Sequence, residues 1–372
     1  MIRRVWITVL AAVLLVTMAA PVSAAPLAFP SFHPEGYGRP APPNVDAPAW
    51  ILYDATAGVV LAEHNADAQR APASITKIMT VLVALENGRL DELVTVSNKA
   101  AATGEREIDL VPGERVPLGA LMKAAIVHSA NDAATAIAEH IGGTVEGFAE
   151  MMNAKAAELG MTGTHFVNPH GLDAAGHVTT ARDMLILALE AMRHPEFRAM
   201  AAARKLVFPD APNGTRRIGE ATNLLLEDYE GATGIKTGFT SRALLTIVAS
   251  AEREGRELYT VVLGTLERRS HFEAARTLFD YGFEDLYMYG VAAGLPYRSP
   301  RQVSRPDPLT VTAALEAQVH LAGEGLLSAA PAKPQELPDL PPPPAVVSSR
   351  RPDGATGPIR ALVYWLDRLF DS

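Results

Sequence analysis

The sequence predicts an α+β domain in which strands from both ends of the domain form one antiparallel sheet beside a helical region. Short apolar runs on either side of a turn at 55–58 predict a hairpin over residues 50–64. Helical periodicity then dominates the middle of the chain, and strand-like segments return after residue 233. This order of elements predicts one sheet whose strands come from segments distant in the sequence.

Each element rests on its own pattern. Helical spacing of apolar residues predicts helices at 74–87, which Gly88 ends, and at 117–128, 132–141, 145–159 and 271–281. Runs rich in β-branched and aliphatic residues predict strands at 234–240, 244–251 and 258–263, with a hairpin turn at Glu254 and Gly255. We expect the start of the first helix to lie against an edge of this sheet.

Composition excludes several classes of function. The 372 residues carry a net charge of −9 and lack a long basic run, so we expect no nucleic-acid partner. There is no cysteine, which excludes disulfides, thiol nucleophiles and thiolate metal sites. Hydrophobic residues make up 48% of the chain, enough for a sizeable core. Covalent catalysis would have to use an oxygen or an amine.

The ends of the chain differ from its centre. Arg3 and Arg4, an apolar stretch and small residues up to Ala24 predict an export signal cleaved after Ala24, and hence a location in the cell envelope; an uncleaved membrane anchor is the alternative. Residues 359–372 place apolar side chains on one face of a helix, which is typical of association with a membrane surface; docking on a protein groove or on the chain's own main domain is the alternative. The predicted segments are 1–24 (signal), 25–48 (Pro-rich), 49–284 (main domain), 285–330 (abbreviated, β-rich), 331–358 (Pro-rich linker) and 359–372 (amphipathic helix).

Ser74 and Lys77 stand three positions apart at the start of an apolar helix. This spacing places the two side chains on one helix face, where an amine can take the proton of a serine nucleophile. Lysine accepts a proton only where burial or a second cation lowers its pKa, and the apolar residues around Lys77 predict such burial. Taken alone, the pair also fits a helix cap and a surface charge.

Two further short motifs change this interpretation. Ser129 and Asn131 lie at a junction between predicted helices, and the sequence Lys236-Thr237-Gly238 lies on a predicted strand. Ser-x-x-Lys, Ser-x-Asn and Lys-Thr-Gly in this order are the motif set of penicillin-binding proteins and class A β-lactamases.

With the surrounding segments "GERVPLGALMKAAIVHSANDAA" and "GIKTGFT", the chain resembles the serine D-alanyl-D-alanine carboxypeptidases, the low-molecular-weight penicillin-binding proteins, from about Trp50 to Phe283. The resemblance implies the serine β-lactamase and penicillin-binding-protein fold, with 49–284 as the peptidase domain. It implies peptidoglycan stem peptides as substrates, β-lactam antibiotics as covalent inhibitors, and no cofactor or metal.

The resemblance also implies a role for each motif residue. Ser74 would attack the carbonyl between the two terminal D-alanines, Lys77 would accept its proton, and Ser129 would relay a proton to the leaving amine. Asn131 would orient the substrate amide and Lys77.

The predicted strand would supply the remaining groups. Lys236 would add positive charge near Lys77, and with Thr237 it would bind the substrate carboxylate. Gly238 would let the strand approach the substrate. The backbone N–H groups of Ser74 and Phe239 would form the oxyanion hole.

The chain departs from the family pattern at two places. Leu244 stands where relatives have glycine, and because leucine does not readily take a positive φ, we expect the turn to differ locally. His271 stands where many relatives have an arginine near the substrate carboxylate; Arg268 or Arg269 would then be the substitute, or carboxylate affinity would be reduced.

Four alternatives remain open at this point. His165, His170, Asp173 and His177 lie close together in sequence and offer ligands for a zinc hydrolase, although their spacing fits no helical pair. An envelope module that binds stem peptides without turnover is a second alternative. A β-lactamase would need an additional water molecule, bound by a glutamate, to deacylate quickly. The sequence shows no loop that matches the one carrying this glutamate. A D-alanyl endopeptidase would use the same residues as the carboxypeptidase.

Overall fold

The computed structural model describes residues 40–286, which form a sheet covered on both faces. Nine strands occur in this part of the chain: β1 (Ala49–Asp54), β2 (Val59–His64), β3 (Leu93–Thr95), β4 (Arg115–Pro117), β5 (Lys205–Phe208), β6 (Arg217–Glu220), β7 (Ala232–Thr240), β8 (Leu244–Arg253) and β9 (Arg256–Thr265). Five of them make an antiparallel sheet in the order β2-β1-β9-β8-β7, and β3-β4 and β5-β6 are separate two-stranded sheets.

Helices cover both faces of the five-stranded sheet. They are α1 (Lys77–Asn87), α2 (Asn98–Ala101), α3 (Leu118–Val127), α4 (Asn131–Gly142), α5 (Val145–Glu158), α6 (Ala181–Ala191), α7 (Pro195–Ala201), α8 (Leu225–Asp228) and α9 (Ser270–Asp280). A 3₁₀ turn, Ala73–Thr76, precedes α1, and a π-helical turn, Tyr281–Asp285, follows α9.

Alternation along the strands produces two hydrophobic cores. On β9, Val261 and Leu263 join the larger core, which also contains buried residues of α1 and of α3 to α6. Val262, between them, joins the smaller core with Phe272 and Phe279 of α9. Because neighbouring side chains of a strand point to opposite faces, the central strands are apolar almost throughout. The sheet therefore lies between two hydrophobic cores.

Most of the predicted elements are confirmed within ±2 residues, including the antiparallel sheet built from both ends of the domain. The predicted helix at 74–87 is divided, since Ser74 lies in the 3₁₀ turn and α1 begins at Lys77. The turn contacts β7, the edge strand, as expected. The prediction omitted β3 to β6, α2 and α6 to α8.

The expectation about Leu244 is wrong. Leu244 takes φ 60° and opens β8 directly after the turn, so the turn does not avoid the left-handed conformation. Hydrogen bonds hold it there, since the Thr240 hydroxyl accepts from Ala243 N (3.0 Å) and donates to Asp173 Oδ1 (2.7 Å). Arg242 N donates to the other oxygen of Asp173 (3.1 Å). Together these bonds outweigh a backbone cost of roughly 1–2 kcal/mol.

The predicted segments 1–24, 331–358 and 359–372 lie outside the described residues, as do most of 25–48 and 285–330. Within residues 40–286, no helix combines the length and the apolar character needed to cross a bilayer.

Candidate active site

Ser74 lies where the chain crosses the end of the sheet. The preceding Pro72 carbonyl accepts a hydrogen bond from Thr246 Oγ1 on β8 (3.2 Å). A Cβ at Gly238 of β7 would lie 2.7 Å from Ser74 N. The absence of a side chain at Gly238 therefore lets β7 pass directly beside the serine backbone.

The Lys77 amine contacts three oxygen atoms. Its Nζ lies 3.0 Å from Ser74 Oγ, 2.7 Å from Asn131 Oδ1 and 2.6 Å from the His170 carbonyl oxygen. The amide and carbonyl oxygens are acceptors only, so each takes one N–H of the amine. A neutral amine has two N–H bonds, and its lone pair is left facing the Ser74 hydroxyl. This arrangement suits transfer of the serine proton to lysine.

The surroundings of Lys77 favour its neutral form. Lys77 is fully buried. Burial, followed by the charge of nearby Arg106, lowers the pKa of Lys77 to about 7, against the opposing charges of Asp132 and Glu105. A large fraction of the amine is therefore available as a base near neutral pH. Burial was predicted from the sequence, whereas the neighbouring charges of Arg106, Asp132 and Glu105 were not.

Asn131 and Ser129 occupy the junction between α3 and α4. Asn131 begins α4, and its Nδ2 donates to the Gly104 carbonyl oxygen (2.9 Å), which fixes the amide with Oδ1 facing Lys77. Ser129 is buried and takes φ 65°, in the left-handed region. The predicted pairing of Asn131 with Lys77 is thus present.

The Lys-Thr-Gly motif lies on β7, as predicted. Lys236 is fully buried, and its Nζ donates to the Thr237 carbonyl oxygen (2.7 Å). The Thr237 hydroxyl donates to Thr222 Oγ1 (2.7 Å), a residue that the sequence patterns did not single out. Phe239, the next residue after Gly238, is 44% exposed, so β7 is accessible at this end.

The charge of Lys236 differs from the fixed positive charge expected from the sequence. Burial, then the charges of Lys77 and Arg106, lower the pKa of Lys236 well below its usual range. Two ammonium groups so close together in a dry site disfavour each other. An anion bound beside Lys236 would raise its pKa again, because the ammonium form would then have a partner.

The segment 165–179 packs over the serine turn. A Cβ at Gly171 would overlap the Ala73 carbonyl oxygen, and Gly171 takes φ +92°. Val167 N donates to His177 Nδ1 (2.9 Å), so His177 Nε2 carries the proton and donates to Thr76 Oγ1 (2.9 Å). The segment thereby presents the His170 carbonyl to Lys77.

The same contacts remove the basis of the zinc alternative. Among the residues described, the one group of three converging ligand atoms is Glu86, Glu190 and His194, not the predicted set. His177 is engaged as above, His170 Nδ1 accepts from Leu172 N (3.2 Å), and His165 Nδ1 bonds the Gly176 carbonyl (3.1 Å). Asp173 holds the turn before β8.

His271, near the start of α9, carries no charge near neutral pH. It is buried, burial lowers its pKa to about 4, and in the described part of the chain its Nδ1 has no hydrogen-bond partner. Arg268 and Arg269 are exposed ahead of α9.

The sequence profile of the family described as D-alanyl-D-alanine carboxypeptidase (peptidase S11) matches residues 38–267. The chain belongs to this family. It is 40% identical over 256 residues to the D-alanyl-D-alanine carboxypeptidase DacC of Escherichia coli, covering 65% of this chain and 62% of the relative. The chain thus matches about three fifths of the length of that carboxypeptidase.

Solved structures of a D-alanyl-D-alanine carboxypeptidase and of a DD-transpeptidase share the fold. The D-alanyl-D-alanine carboxypeptidase of Mycobacterium tuberculosis superposes with a TM-score of 0.63 at 33% identity, covering 66% of this chain and 94% of that one. The Streptomyces K15 DD-transpeptidase superposes with a TM-score of 0.62 at 29% identity, covering 65% and 99%. The predicted fold class, a penicillin-binding-protein fold with an antiparallel sheet and a helical region, is confirmed.

Proposed function

We propose that this chain is a serine-type D-alanyl-D-alanine carboxypeptidase that removes the terminal D-alanine of peptidoglycan stem peptides through an acyl-enzyme on Ser74. One observation carries the proposal: the buried Lys77 Nζ lies 3.0 Å from Ser74 Oγ and within hydrogen-bond distance of Asn131 Oδ1 and the His170 carbonyl oxygen. Membership of the carboxypeptidase family supplies the substrate class.

Acylation begins at Ser74. Its Oγ bonds to the carbonyl carbon between the two D-alanines while its proton passes to Lys77 Nζ. The C–N bond then breaks, and the departing nitrogen takes a proton through Ser129, so that D-alanine leaves. The N–H groups of Ser74 and Phe239 stabilise the oxyanion, and each such donor is typically worth ~10²–10³ in rate.

Deacylation regenerates the serine. Water adds to the ester carbon, the bond to Ser74 Oγ breaks, and the hydroxyl regains its proton. Until D-alanine leaves, Thr237 and Lys236 bind the free carboxylate of the terminal residue, and this anion restores the positive charge that burial disfavours in Lys236. Penicillin carries the same carboxylate and carbonyl pattern, so it acylates Ser74 and is released slowly.

Mass spectrometry of the protein after exposure to penicillin tests the proposal. We expect one covalent adduct, on the peptide that contains Ser74, together with D-alanine release from a stem peptide. Both should be lost in Ser74→Ala and retained in Ser241→Ala, which replaces an exposed serine. An adduct on another residue, or D-alanine release by Ser74→Ala, would remove Ser74 from the mechanism.

A second candidate activity is acyl transfer, in which an amine attacks the acyl-enzyme instead of water. The fold neighbour named DD-transpeptidase motivates this candidate, and a D-alanyl endopeptidase would use the same acyl-enzyme with cross-linked substrates. Product analysis with and without a glycine acceptor distinguishes transfer from hydrolysis. Adduct formation without any release of D-alanine would instead favour the non-catalytic binding module, and rapid hydrolysis of penicillin would favour a β-lactamase.

For the ends of the chain, we propose export through residues 1–24 and attachment of the enzyme to the outer, periplasmic face of the cytoplasmic membrane through residues 359–372. The support is the sequence pattern of each segment. Deletion of 359–372 should leave D-alanine release intact and move the protein from the membrane fraction to the soluble fraction. Equal membrane recovery after the deletion would reject the anchor.

A further inference from the structure

Asp132, directly after Asn131 in α4, has a fully buried carboxylate. It accepts hydrogen bonds from Ile108 N (3.0 Å), Leu110 N (3.1 Å) and Ala133 N (2.8 Å). Within residues 40–286, none of the ion pairs with an N–O distance of 4.0 Å or less involves Asp132. Burying a carboxylate costs free energy unless hydrogen bonds satisfy its oxygens. Two of the three donors, Ile108 N and Leu110 N, belong to a segment distant in sequence, and this arrangement requires an explanation.

The explanation lies in the segment 104–110, to which Asp132 binds. The Gly104 carbonyl accepts from Asn131 Nδ2 (2.9 Å), and the Arg106 carbonyl accepts from Asn131 N (2.7 Å). Arg106 Nε donates to the His128 carbonyl (2.7 Å), next to Ser129. The segment therefore holds the amide whose oxygen contacts Lys77.

The segment does not hold this shape through local preference. Glu105 takes φ 77° and Asp109 takes φ 56°, two non-glycine residues in the left-handed region. Each costs roughly 1–2 kcal/mol, so contacts outside the segment must stabilise its conformation. The Asp132 carboxylate supplies two of these contacts, to Ile108 and Leu110.

We propose that Asp132 is a positioning residue for acylation: its carboxylate fixes segment 104–110, which orients Asn131 and through it Lys77. This inference rests on the proposed function, because acylation of Ser74 is the step that it serves. It assigns to the residue after the Ser-x-Asn motif a task distinct from those of the motif residues.

The negative charge of Asp132 should change the pKa of Lys77, and a purely structural role would not produce this effect. Among the groups that influence Lys77, Arg106 disfavours its ammonium form, whereas Asp132 and Glu105 favour it; Lys236 and His170 are the other titratable neighbours. Burial raises the pKa of Asp132 to about 6, with a smaller contribution from Glu107. Asp132 is therefore mainly ionised where Lys77 titrates. Neutralising it should lower the pKa of Lys77 and move the acid limb of the acylation profile to lower pH.

The test compares Asp132→Asn with Asp183→Asn. Asp183 is also a buried aspartate, and it accepts from Gly163 N (2.9 Å) and the Thr164 hydroxyl (2.6 Å) without contact to the catalytic groups. The second-order rate constant of acylation by a fluorescent penicillin is measured from pH 5.5 to 9, with thermal denaturation of each variant. We expect Asp132→Asn to lower the plateau rate about 10–100-fold. We expect its midpoint to move about 0.5–1 pH unit towards acid.

Asp183→Asn should lose thermal stability without any shift of the midpoint. An unchanged midpoint in Asp132→Asn, even with a lower plateau, would overturn the proposal and leave Asp132 a structural residue.

If the asparagine variant does not fold, Asp132→Glu keeps the charge but displaces the carboxylate by one methylene. A wild-type plateau in that variant would overturn the positioning role, and a lower plateau with an unshifted midpoint would support it. Absence of acylation in the wild-type protein would reject the proposed function instead.

Discussion

Asn131 Oδ1 lies 2.7 Å from Lys77 Nζ, across 54 residues of sequence. An amide oxygen at this position accepts one N–H of the amine and carries no charge. It therefore orients Lys77 without stabilising the ammonium form as strongly as a carboxylate would. The neutral base depends on an amide at this position.

Asn131→Asp should consequently impair acylation at neutral pH. A carboxylate within hydrogen-bond distance would raise the pKa of Lys77, so the midpoint of the acylation profile should move about 1 pH unit or more towards alkaline. The measurement is the rate of acylation by a fluorescent penicillin as a function of pH. Asn153→Asp is the control, because both ends of the Asn153 amide are hydrogen-bonded, in this case to the backbone of Phe166 and not to an amine. An unshifted midpoint in Asn131→Asp would contradict the assignment of Lys77 as the base.

The two buried lysines predict how stability depends on pH. The pKa of Lys77 is lowered to about 7 and that of Lys236 lies well below its usual range, so between pH 8 and 9 the unfolded chain binds protons that the folded protein does not. Stability should therefore rise with pH in this window, by roughly 1–3 kcal/mol per pH unit. Urea denaturation at pH 8 and 9 measures the slope.

Lys77→Met serves as the control for this slope, since it removes one of the two groups and keeps most of the side-chain volume. The slope should fall by about half, or about 1.4 kcal/mol per pH unit. A wild-type protein whose stability is flat or falls from pH 8 to 9 would show that the buried amines keep their protons.

Gly171 provides a test of the packing over the serine turn. A Cβ at Gly171 would overlap the Ala73 carbonyl oxygen and lie 2.9 Å from Ser74 N, at φ +92°. Gly171→Ala should therefore destabilise the fold by about 2–4 kcal/mol and strongly reduce acylation. Gly113→Ala is the matched control, because φ is +82° there and nothing lies within 4 Å of the added atom. It should cost about 1 kcal/mol and leave acylation unchanged. Equal effects of the two substitutions in thermal denaturation and acylation assays would contradict this account.

The local parts of the structure were predictable from sequence because short-range patterns determine them. Short apolar runs on either side of a turn predicted β1 and β2, and apolar periodicity predicted α1, α3, α4 and α5. One omitted helix carried a readable signal, since Thr180 caps α6 by accepting from Asp183 N (3.0 Å). The strands β3 to β6 contain only three or four residues each, too few for a period to stand out.

Only the motif residues of the site could be predicted from the sequence. Ser74, Lys77 and Asn131 could be placed together by resemblance, but nothing local in sequence shows that Asp132 binds Ile108 and Leu110. The same holds for Leu244, whose left-handed conformation depends on Asp173, a residue about seventy positions earlier. Long-range hydrogen bonds of this kind leave no periodic trace, so a local rule applied to Leu244 gave the wrong turn.

The ion pair between Arg217 and Glu114 should be essential for the small sheet β5-β6. Its side chains are 3% and 7% exposed, and Arg217 Nη2 also donates to the Asp109 carbonyl (2.6 Å). Removing one partner leaves the other charge buried and unpaired, so Arg217→Ala should lower the free energy of unfolding by about 3–5 kcal/mol. Urea denaturation of the variants provides the measurement.

Two comparisons separate this buried pair from an ordinary one. Arg89→Ala breaks the pair with Asp91, whose side chains are 74% and 71% exposed, and should cost no more than about 1 kcal/mol. The double substitution Arg217→Met with Glu114→Leu removes both charges and should recover much of the loss, because replacing a buried pair with apolar groups is often close to neutral. If the double variant is as unstable as Arg217→Ala, the lost stability comes from side-chain packing and from the hydrogen bond to the Asp109 carbonyl. It then does not come from leaving the Glu114 carboxylate buried without a partner.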